Sequence, residues 1–398
     1  MHIVFYISRF GIGGIQTFVI QMAKELVQLP NVKVSIFCHY PELLDASLNE
    51  PIPPSVEIVA VSKNKRSIVL INVLRNWIKK IWKGFDFKEW LTTRAFLRFV
   101  KKENVTLIHN NIQLGDYNAY WAQKQLGVPY ITTLHGAYKE IVGSDDIDVA
   151  TYRQVFNRLF QTASNIVYLS PANLLPFTQV LGDLSPQQKQ KIVRIFNGLK
   201  KVSIAPKKST TDFVLGLVAR GVAYKGWEEA IEAVLYLVKE KGYQNLKLRL
   251  YGASDYLDEL QKKYGASKDF ILFCGATYEP LKVVQEFTVG LLPTYLPQEE
   301  MPFTIIEYLA CGIPVIATDK GAIVEMLTAD QDVAGAIVPF AENGKADVLA
   351  LAGAIEQFVV NEAYLEQKKR FAQQAFEKFN IEHTVKQYYK LYQNALKK

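Results

Sequence analysis

The chain alternates short, continuously apolar runs with longer stretches in which apolar residues recur every three or four positions. Runs of the first kind are typical of buried strands, and the spacing of the second is that of amphipathic helices. The runs in the first half are residues 2–7, 32–38, 56–61, 105–109, 129–134, 165–169 and 192–195. Strands that alternate with helices form parallel sheets covered by helices. The sequence therefore predicts an α/β protein.

The alternation stops at residues 197–212, NGLKKVSIAPKKSTTD, a polar and basic stretch that is typical of a linker. It then restarts with apolar runs at residues 213–219, 246–252, 270–275, 289–293, 314–318 and 335–339. We therefore predict two doubly wound domains, residues 1–196 and 213–380. The pattern of residues 381–398 predicts a last helix that braces the two domains together.

The composition, 49% hydrophobic and 21% charged over 398 residues, is that of a globular protein rather than a disordered one. The first residues, MHIVFYISRF, lack a basic leader and a small-residue cleavage site, so we expect no secretion signal. No apolar stretch approaches the roughly 20 residues of a spanning helix. The odd number of cysteines, three, favours a reducing cytoplasm over a disulfide framework. Zinc-type spacing of histidine and cysteine is missing, so we expect no metal.

The net positive charge is concentrated in residues 63–102, which hold twelve Lys or Arg against two acids, a net charge of +10, whereas the whole chain has a net charge of only +7. Leu70, Val73, Trp77 and Ile81 recur there at helical spacing, with basic residues between them. We predict a basic amphipathic helix that lies on an anionic membrane surface. The alternative is an ordinary helix with a solvated basic face. Nucleic-acid binding is not expected, because no nucleic-acid module accompanies the charge.

A glycine-rich turn, FGIGGIQTF at residues 10–18, follows the first predicted strand and opens a helix. Gly13 and Gly14 would let a ligand approach the backbone at a helix N-terminus, where an anion is favoured. Gln16 stands where a dinucleotide fingerprint has its third glycine, which argues against NAD. A tight turn without a ligand is the alternative.

Two cations follow the first strand of the second half. In LVARGVAYKG, residues 217–226, a buried strand ends and is followed by Arg220 and Lys225. Ligands of open parallel sheets bind beyond the carboxyl ends of the strands, so this pair suits a diphosphate. Two solvated loop cations are the alternative.

The most specific string is PQEEMPFTIIEYLACGIPVIAT, residues 297–318. Glu299 precedes a helix whose first turn we expect to contain Pro302, and Glu307 lies about one and a half turns into it. Acids at these two places can accept hydrogen bonds from vicinal sugar hydroxyls. The free N–H groups of the first turn can face a phosphate.

This string resembles the signature of the retaining GT-B glycosyltransferases of family four, also described as group 1. The signature consists of two glutamates separated by seven residues, here Glu299 and Glu307, followed by ACGIPVIAT and by Glu325. Arg220 and Lys225 resemble the arginine and lysine of the same family. The weaker matches are the glycine loop at Gly13 and Gly14, the histidine of LHG at His135 and the FNGL turn at Asn197.

The resemblance implies two Rossmann-like domains that face each other across a cleft. It also implies metal-independent, retaining transfer of a sugar from a nucleotide-diphosphate sugar. Arg220 and Lys225 would hold the diphosphate, Glu307 the ribose and Glu299 the sugar hydroxyls, while His135 would line the reacting carbon. The other donor contacts would come from Gly13, Gly14, Asn197, Pro302, Phe303 and Thr304. We expect a UDP-sugar as donor and no further cofactor.

We expect the acceptor to be a hydroxyl of a glycan or lipid-linked glycan of bacterial-type envelope polysaccharide synthesis. The protein would then be cytoplasmic and peripheral on the inner face of the cell membrane. Glu300, Met301 and Pro302 replace the usual glycines after the first glutamate, which leaves the sugar open. Ala322 and Lys200 are further departures from the family pattern, and the base stays open as well. The alternative functions are a nucleotide-sugar epimerase on a similar scaffold and a non-catalytic sugar-nucleotide binding protein.

Asp146 and Asp148 in SDDID have the DxD spacing that binds a metal in another glycosyltransferase fold. That motif normally ends a strand, whereas these residues lie in a polar stretch before a predicted helix. We therefore predict helix capping and solvation for them rather than metal binding.

Overall fold

A computed structural model describes residues 1–11, 13–40, 52–62, 64–82, 85–136, 148–203, 211–296, 299–330 and 332–397. The chain divides into two compact units. The first comprises Met1–Phe196 and Ile381–Lys398, and the second comprises Asn197–Asn380.

The strands of the first unit are β1 (His2–Ile7), β2 (Lys33–Cys38), β3 (Glu57–Ala60), β4 (Leu107–Asn110), β5 (Tyr130–Leu134), β6 (Asn165–Tyr168) and β7 (Ile192–Arg194). Its helices up to residue 196 are α1 (Gly14–Leu26), α2 (Lys65–Ile81), α3 (Phe87–Lys102), α4 (Gln113–Leu126), α5 (Val149–Thr162), α6 (Leu175–Leu181) and α7 (Pro186–Lys191). The strands pair in parallel in the order β3-β2-β1-β4-β5-β6-β7. The α/β prediction is confirmed.

The larger sheet of the second unit contains β8 (Phe213–Val218), β9 (Leu246–Tyr251), β10 (Ile271–Gly275), β11 (Val289–Leu292), β12 (Val315–Thr318) and β15 (Gly335–Val338). Its helices are α8 (Trp227–Lys239), α9 (Asp255–Lys263), α10 (Pro280–Val284), α11 (Phe303–Ala310), α12 (Ile323–Leu327), α13 (Val348–Val360) and α14 (Glu362–Phe376). These strands are also parallel, in the order β10-β9-β8-β11-β12-β15. A small antiparallel pair, β13 (Thr328–Ala329) with β14 (Asp332–Val333), was not predicted because two-residue strands leave no periodic pattern.

The last helix, α15 (Ile381–Leu396), packs against α1 and β4 within the first unit. Alternate side chains of a strand point to opposite faces of the sheet. Phe5 of β1 therefore lies on the face covered by α1 and α15, with its ring 4.8 Å from that of His109. Tyr6 lies on the other face, 4.9 Å from Phe96 of α3. The bracing of two domains by α15 stays a prediction.

The core of the second unit forms where α8 and α13 cover the sheet, with Trp227 and Ile355 fully buried among the leucines of β8 and β9. α11 packs over the ends of β8 and β11 through Tyr308, whose hydroxyl accepts from Val218 N–H at 3.1 Å and donates to Gly216 O at 3.1 Å. β8 has β9 on one side and β11 on the other, so the chain changes direction across the sheet here. This is the topological switch point, where doubly wound sheets bind their ligands.

α2 is the predicted basic helix, but the side chains on much of its apolar face are not covered. Val69, Leu70, Val73, Trp77 and Ile81 have between 58% and 68% of their surface exposed, whereas Ile68 is buried. Among the described residues no single helix is long and apolar enough to cross a membrane, and only the bent pair Val348–Val360 with Glu362–Phe379 has the length and composition.

Candidate active site

The loops that follow β8, β11 and β12 meet at the switch point of the second unit. Thr294, after β11, donates its hydroxyl hydrogen bond to Tyr224 O at 2.9 Å, which joins that loop to the one after β8. Thr304, in the first turn of α11, donates to Val218 O at 2.9 Å. These two bonds place Arg220, Lys225, Glu299 and the start of α11 at one edge of the sheet.

Lys225 and Glu299 form a buried ion pair, each side chain being only 8% exposed. Glu299 Oε2 accepts from Lys225 Nζ and lies 3.1 Å from the hydroxyl oxygen of Thr294, whose one hydrogen it shares with Tyr224 O. Burial lowers the pKa of Lys225, the carboxylate of Glu299 opposes this, and the charge of Arg220 adds a smaller lowering. The sequence analysis assigned these two side chains to different parts of the donor, and the structure joins them directly.

Arg220 differs from Lys225 in being exposed. Its guanidinium Nη2 donates to the hydroxyl of Tyr224 at 3.2 Å, and its backbone carbonyl accepts from the indole N–H of the buried Trp227 at 3.1 Å. No carboxylate pairs with it among the described residues. The backbone is therefore anchored while the guanidinium keeps donors for an anion.

The N-terminus of α11 lies at the same edge of the sheet, and free helix N–H groups can bind an anion. Pro302 is the N-cap of α11, with ψ 123, rather than a residue of its first turn, because an extended ψ lies outside the helix. Among the described residues, the N-cap of α11 makes no side-chain capping hydrogen bond and the first turn of the helix contains no acid. Glu307, one turn on, is 6% exposed. The predicted position of both glutamates, one before the helix and one within it, is confirmed.

Gly321 explains how Glu299 is held. Its φ of 56 is in the left-handed region, and a Cβ atom there would lie 1.5 Å from the carbonyl oxygen of Glu299. The same carbonyl accepts from Ala322 N–H at 3.2 Å. The family resembled has two glycines at positions 321 and 322, in the pattern GGxxE that ends at Glu325, and geometry requires the first of them. It does not require the second, since Ala322 has φ −96 as the N-cap of α12.

In the first unit, Gly13 is the N-cap of α1 and Gly14 is its first residue, again without a side-chain cap or a first-turn acid. Gln16, which stands in place of the third glycine, donates from Nε2 to Arg9 O at 2.8 Å. The turn is therefore braced by a side chain where a dinucleotide fold leaves room for a pyrophosphate.

His135 follows β5 in the first unit. Its Nε2 lies 3.0 Å from Asn111 Oδ1, and its ring centroid lies 4.9 Å from that of Phe18. Burial lowers the pKa of His135 to about 3, so the imidazole is neutral at physiological pH. This disfavours a role as a general base, for which a pKa near the working pH is best.

Asn197 is 2% exposed at the start of the second unit, and its Oδ1 makes no hydrogen bond among the described residues. No described residue of the donor cluster contacts it through a hydrogen bond, so its predicted role stays a prediction. Asp148 caps α5 by accepting from Thr151 N–H at 3.1 Å, as predicted, and Asp146 lies outside the described residues. The described residues hold no group of three or more potential metal ligands.

Thr294 and Asn111, which contact Glu299 and His135 respectively, were not predicted from the sequence. Both follow the carboxyl end of a strand, in LLPT after β11 and in HNN after β4. A rule that collects polar residues at the carboxyl ends of neighbouring strands would have found them.

Two family models match the chain. Residues 12–199 match Glycosyltransferase Family 4, and residues 212–361 match Glycosyl transferases group 1. No curated protein matches the sequence significantly.

Solved structures with the same fold include HepE of Anabaena in complex with UDP-glucose, at 17% identity and a TM-score of 0.72 over 99% of this chain and 100% of that one. TarM of S. aureus, in complex with Fondaparinux, alpha-GlcNAc-glycerol and UDP, is 13% identical with a TM-score of 0.69 over all of both chains. The lipopolysaccharide outer core galactosyltransferase WaaB is 14% identical with a TM-score of 0.64 over 99% of each chain.

The fold, with two parallel α/β units, is that of a GT-B glycosyltransferase. Because the two matched ranges together take in most of the chain, this chain belongs to the group 1, family-four glycosyltransferases. The resemblance read from Glu299, Glu307, Arg220 and Lys225 is thereby confirmed at the level of the family.

Proposed function

We propose that this glycosyltransferase moves a sugar, with retention of anomeric configuration, from a UDP-sugar to a hydroxyl of a glycan or lipid-linked glycan. The observation that carries the proposal is the pairing of Lys225 with Glu299 beside the uncapped start of α11. The cation and the helix amides can bind a diphosphate, and the acid can accept hydrogen bonds from the hydroxyls of the attached sugar. The UDP and UDP-glucose bound by HepE support uridine as the base.

In the proposed reaction the bond between the anomeric carbon and the diphosphate oxygen breaks, and a bond from that carbon to the acceptor oxygen forms on the same face. The acceptor proton passes to the departing phosphate oxygen. Negative charge grows on the diphosphate, where Arg220, Lys225 and the amides of α11 stabilise it, and preorganised donors of this kind are usually the largest catalytic term. We propose that these groups do the work that a metal ion does elsewhere.

Glu299 and Glu307 would bind the neutral part of the donor. We propose that Glu299, held by Lys225 and Thr294, accepts hydrogen bonds from the sugar hydroxyls. Glu307, on the same helix as the phosphate-facing amides, would accept from the ribose hydroxyls. Gly13, Gly14 and His135 would contribute contacts from the first unit, and Asn197 a further donor contact.

We further propose that the protein works on the inner face of the cell membrane, in envelope polysaccharide synthesis, with α2 on an anionic lipid surface. The exposed apolar residues of α2 lie beside Lys79 and Lys80, which are also exposed. A lipid surface matches both features, because it buries apolar side chains and attracts cations. WaaB, a lipopolysaccharide galactosyltransferase of the same fold, supports an envelope acceptor.

Aromatic residues extend this surface into the turn between α2 and α3. Trp82 stacks on Phe85 at 5.1 Å, and Trp90 stacks on Phe87 at 5.9 Å, with Trp82 65% exposed. Indole rings favour the headgroup region, since their bodies are apolar and their N–H groups stay hydrated. A bidentate hydrogen bond from Arg75 to Asp86, the N-cap of α3, fixes α2 to α3.

The test of transfer is incubation of the chain with labelled UDP-, GDP- and ADP-sugars and a bacterial lipid extract, with and without EDTA. The proposal predicts transfer of label from a UDP-sugar into a lipid-soluble product, insensitive to EDTA, with the donor's anomeric configuration preserved by NMR. Inversion, or a requirement for metal, would contradict it. Epimerised donor without transfer would favour the epimerase.

A further inference from the structure

Tyr224 lies between Arg220 and Lys225 in the loop after β8, at the switch point of the second unit. Its carbonyl oxygen accepts from the hydroxyl of Thr294 at 2.9 Å and from Tyr295 N–H at 2.9 Å. Both partners belong to the loop after β11. The backbone of Tyr224 is therefore bonded to the neighbouring loop, which sets the point from which its side chain starts.

Gly226 holds the other side of the same turn. Its φ of 79 lies in the left-handed region, and a Cβ atom there would lie 2.2 Å from the carbonyl oxygen of Pro293. The loops after β8 and β11 thus meet through a glycine backbone as well as through hydrogen bonds. The side chains of this turn consequently start from a backbone that is held on both sides.

The hydroxyl of Tyr224 can only accept in its contact with Arg220. Tyr224 Oη and Arg220 Nη2 lie 3.2 Å apart, and a guanidinium nitrogen donates hydrogen bonds but accepts none. A phenolic hydroxyl carries one hydrogen of its own, which this contact does not use. The hydroxyl makes no other hydrogen bond among the described residues. It therefore keeps a donor for a ligand.

The consecutive side chains of Tyr224 and Lys225 differ in their surroundings. Lys225 is buried against Glu299, whereas Tyr224 is half-buried and contacts the exposed Arg220. One turn consequently offers an ammonium, a guanidinium and an O–H hydrogen that the described residues do not use. Phosphate oxygens carry charge and accept several hydrogen bonds, which makes bonds to them stronger than those between neutral groups. A diphosphate is the class of ligand that can use all three donors.

We propose that Tyr224 is a third diphosphate-binding residue, whose hydroxyl accepts from Arg220 and donates its own hydrogen to a phosphate oxygen of the nucleotide-sugar donor. The inference rests on the proposed function and deepens it, because only Arg220 and Lys225 were assigned to the diphosphate from the sequence. All three residues belong to the second unit. As negative charge grows on the departing diphosphate, the hydrogen bond from Tyr224 becomes stronger.

The first test is calorimetric titration of UDP and of inorganic pyrophosphate into the wild-type chain, Tyr224→Phe and Tyr236→Phe. Tyr224→Phe should weaken the binding of both ligands about tenfold or more, the usual worth of a hydrogen bond to a charged group. Tyr236→Phe makes the same chemical change on α8 and should leave both affinities unchanged. Equal affinities of the wild-type chain and a folded Tyr224→Phe would overturn the inference.

A second background separates a direct contact with the diphosphate from mere positioning of Arg220. In Arg220→Ala, the further change Tyr224→Phe should still weaken UDP binding about threefold or more, because the hydrogen that reaches the phosphate is again lost. If Tyr224→Phe has no effect in that background, Tyr224 acts only through Arg220 and the inference is wrong.

The wild-type chain with ¹³C-labelled tyrosine gives a readout that does not depend on any variant. The ring signal of Tyr224, assigned through its backbone, should shift when pyrophosphate is added, and that of Tyr236 should not. An unchanged Tyr224 signal at saturating pyrophosphate would overturn the inference.

The proposed function and this inference can fail separately. If the wild-type chain binds pyrophosphate through Tyr224 but transfers sugar from no UDP-sugar, the proposed function is wrong and the diphosphate contact stands. If the chain transfers sugar from a UDP-sugar while Tyr224→Phe binds UDP with wild-type affinity, the function stands and the contact is wrong.

Discussion

Lys225 donates to Glu299 across two loops of the second unit, and neither side chain has more than 8% of its surface exposed. Removing one partner of a buried ion pair leaves an uncompensated charge and costs about 3 to 5 kcal/mol, whereas replacing both partners by well-packed apolar residues of similar volume can be nearly neutral. Substitutions at this pair can therefore separate stability from donor binding. In the proposed function Lys225 binds the diphosphate and Glu299 binds the sugar hydroxyls, whereas stability depends on the contact between the two side chains.

Lys225→Met should lower the melting temperature by several degrees, and Lys225→Met with Glu299→Leu should recover most of that loss. The double variant should still bind UDP poorly, since the phosphate cation is gone. Differential scanning calorimetry and UDP titrations on the single and double variants measure both effects. Additive losses of stability would show that the pair is not coupled.

Gly321→Ala should destabilise the second unit by about 2 kcal/mol or more, because a positive φ and the carbonyl of Glu299 both oppose a Cβ atom. The matched control is Gly353→Ala in α13, where no atom lies within 4 Å of the added Cβ. That change should stabilise the helix by about 0.5 to 1 kcal/mol. Equal melting temperatures for the two variants would refute this account of the Gly321 turn.

Replacing Lys79 and Lys80 by glutamate should weaken binding to anionic vesicles at least tenfold. Each basic residue near an anionic membrane surface contributes about 1 kcal/mol to the binding free energy. Replacing Val73 and Trp77 by serine should weaken it as well, through lost apolar burial. Sedimentation with phosphatidylglycerol-containing and pure phosphatidylcholine vesicles measures both. The control is Lys262→Glu with Lys268→Glu, which makes the same charge change on the second unit; if it weakens binding equally, α2 is not the docking surface.

The free energy of unfolding should fall as the pH falls below about 6.5. Burial lowers the pKa of His109 well below 6.5 and that of His135 to about 3, so the unfolded chain binds protons that the folded chain does not. Each of these two histidines should lower the free energy of unfolding by about 1.4 kcal/mol for every pH unit below about 6.5. His109→Gln should flatten the decline in melting temperature between pH 7 and 5, and His383→Gln, at an exposed site, should leave it unchanged.

Strands such as β1 and β8 were readable from the sequence because they are continuous apolar runs buried on both faces of their sheets, as at Ile3–Ile7 and Leu215–Val218. The sequence also located Glu299, Glu307, Arg220 and Lys225, because each stands at a fixed offset from a strand or helix end. The position of a residue relative to the end of its strand or helix is a property of the local sequence and does not depend on contacts with distant parts of the chain.

Contacts between distant parts of the chain were not readable. Nothing in the spacing of Lys225 and Glu299, 74 residues apart, indicates a direct ion pair. The apolar stripe of α2 has the period of a packed helix, and only the fold shows that most of it is left uncovered. Likewise, His135 contacts Asn111, although the two residues follow different strands and are 24 residues apart.

Isothermal titration of UDP into the wild-type chain, Lys225→Ala, Glu307→Gln and Lys268→Ala tests the central claim most directly. Lys268→Ala removes an exposed lysine of the same unit and controls for net charge. The account predicts binding of UDP by wild type and Lys268→Ala, and at least tenfold weaker binding by Lys225→Ala and Glu307→Gln, with all four chains folded. Wild-type affinity in Lys225→Ala and Glu307→Gln, or no binding of UDP by the wild-type chain, would contradict the assignment of the donor site.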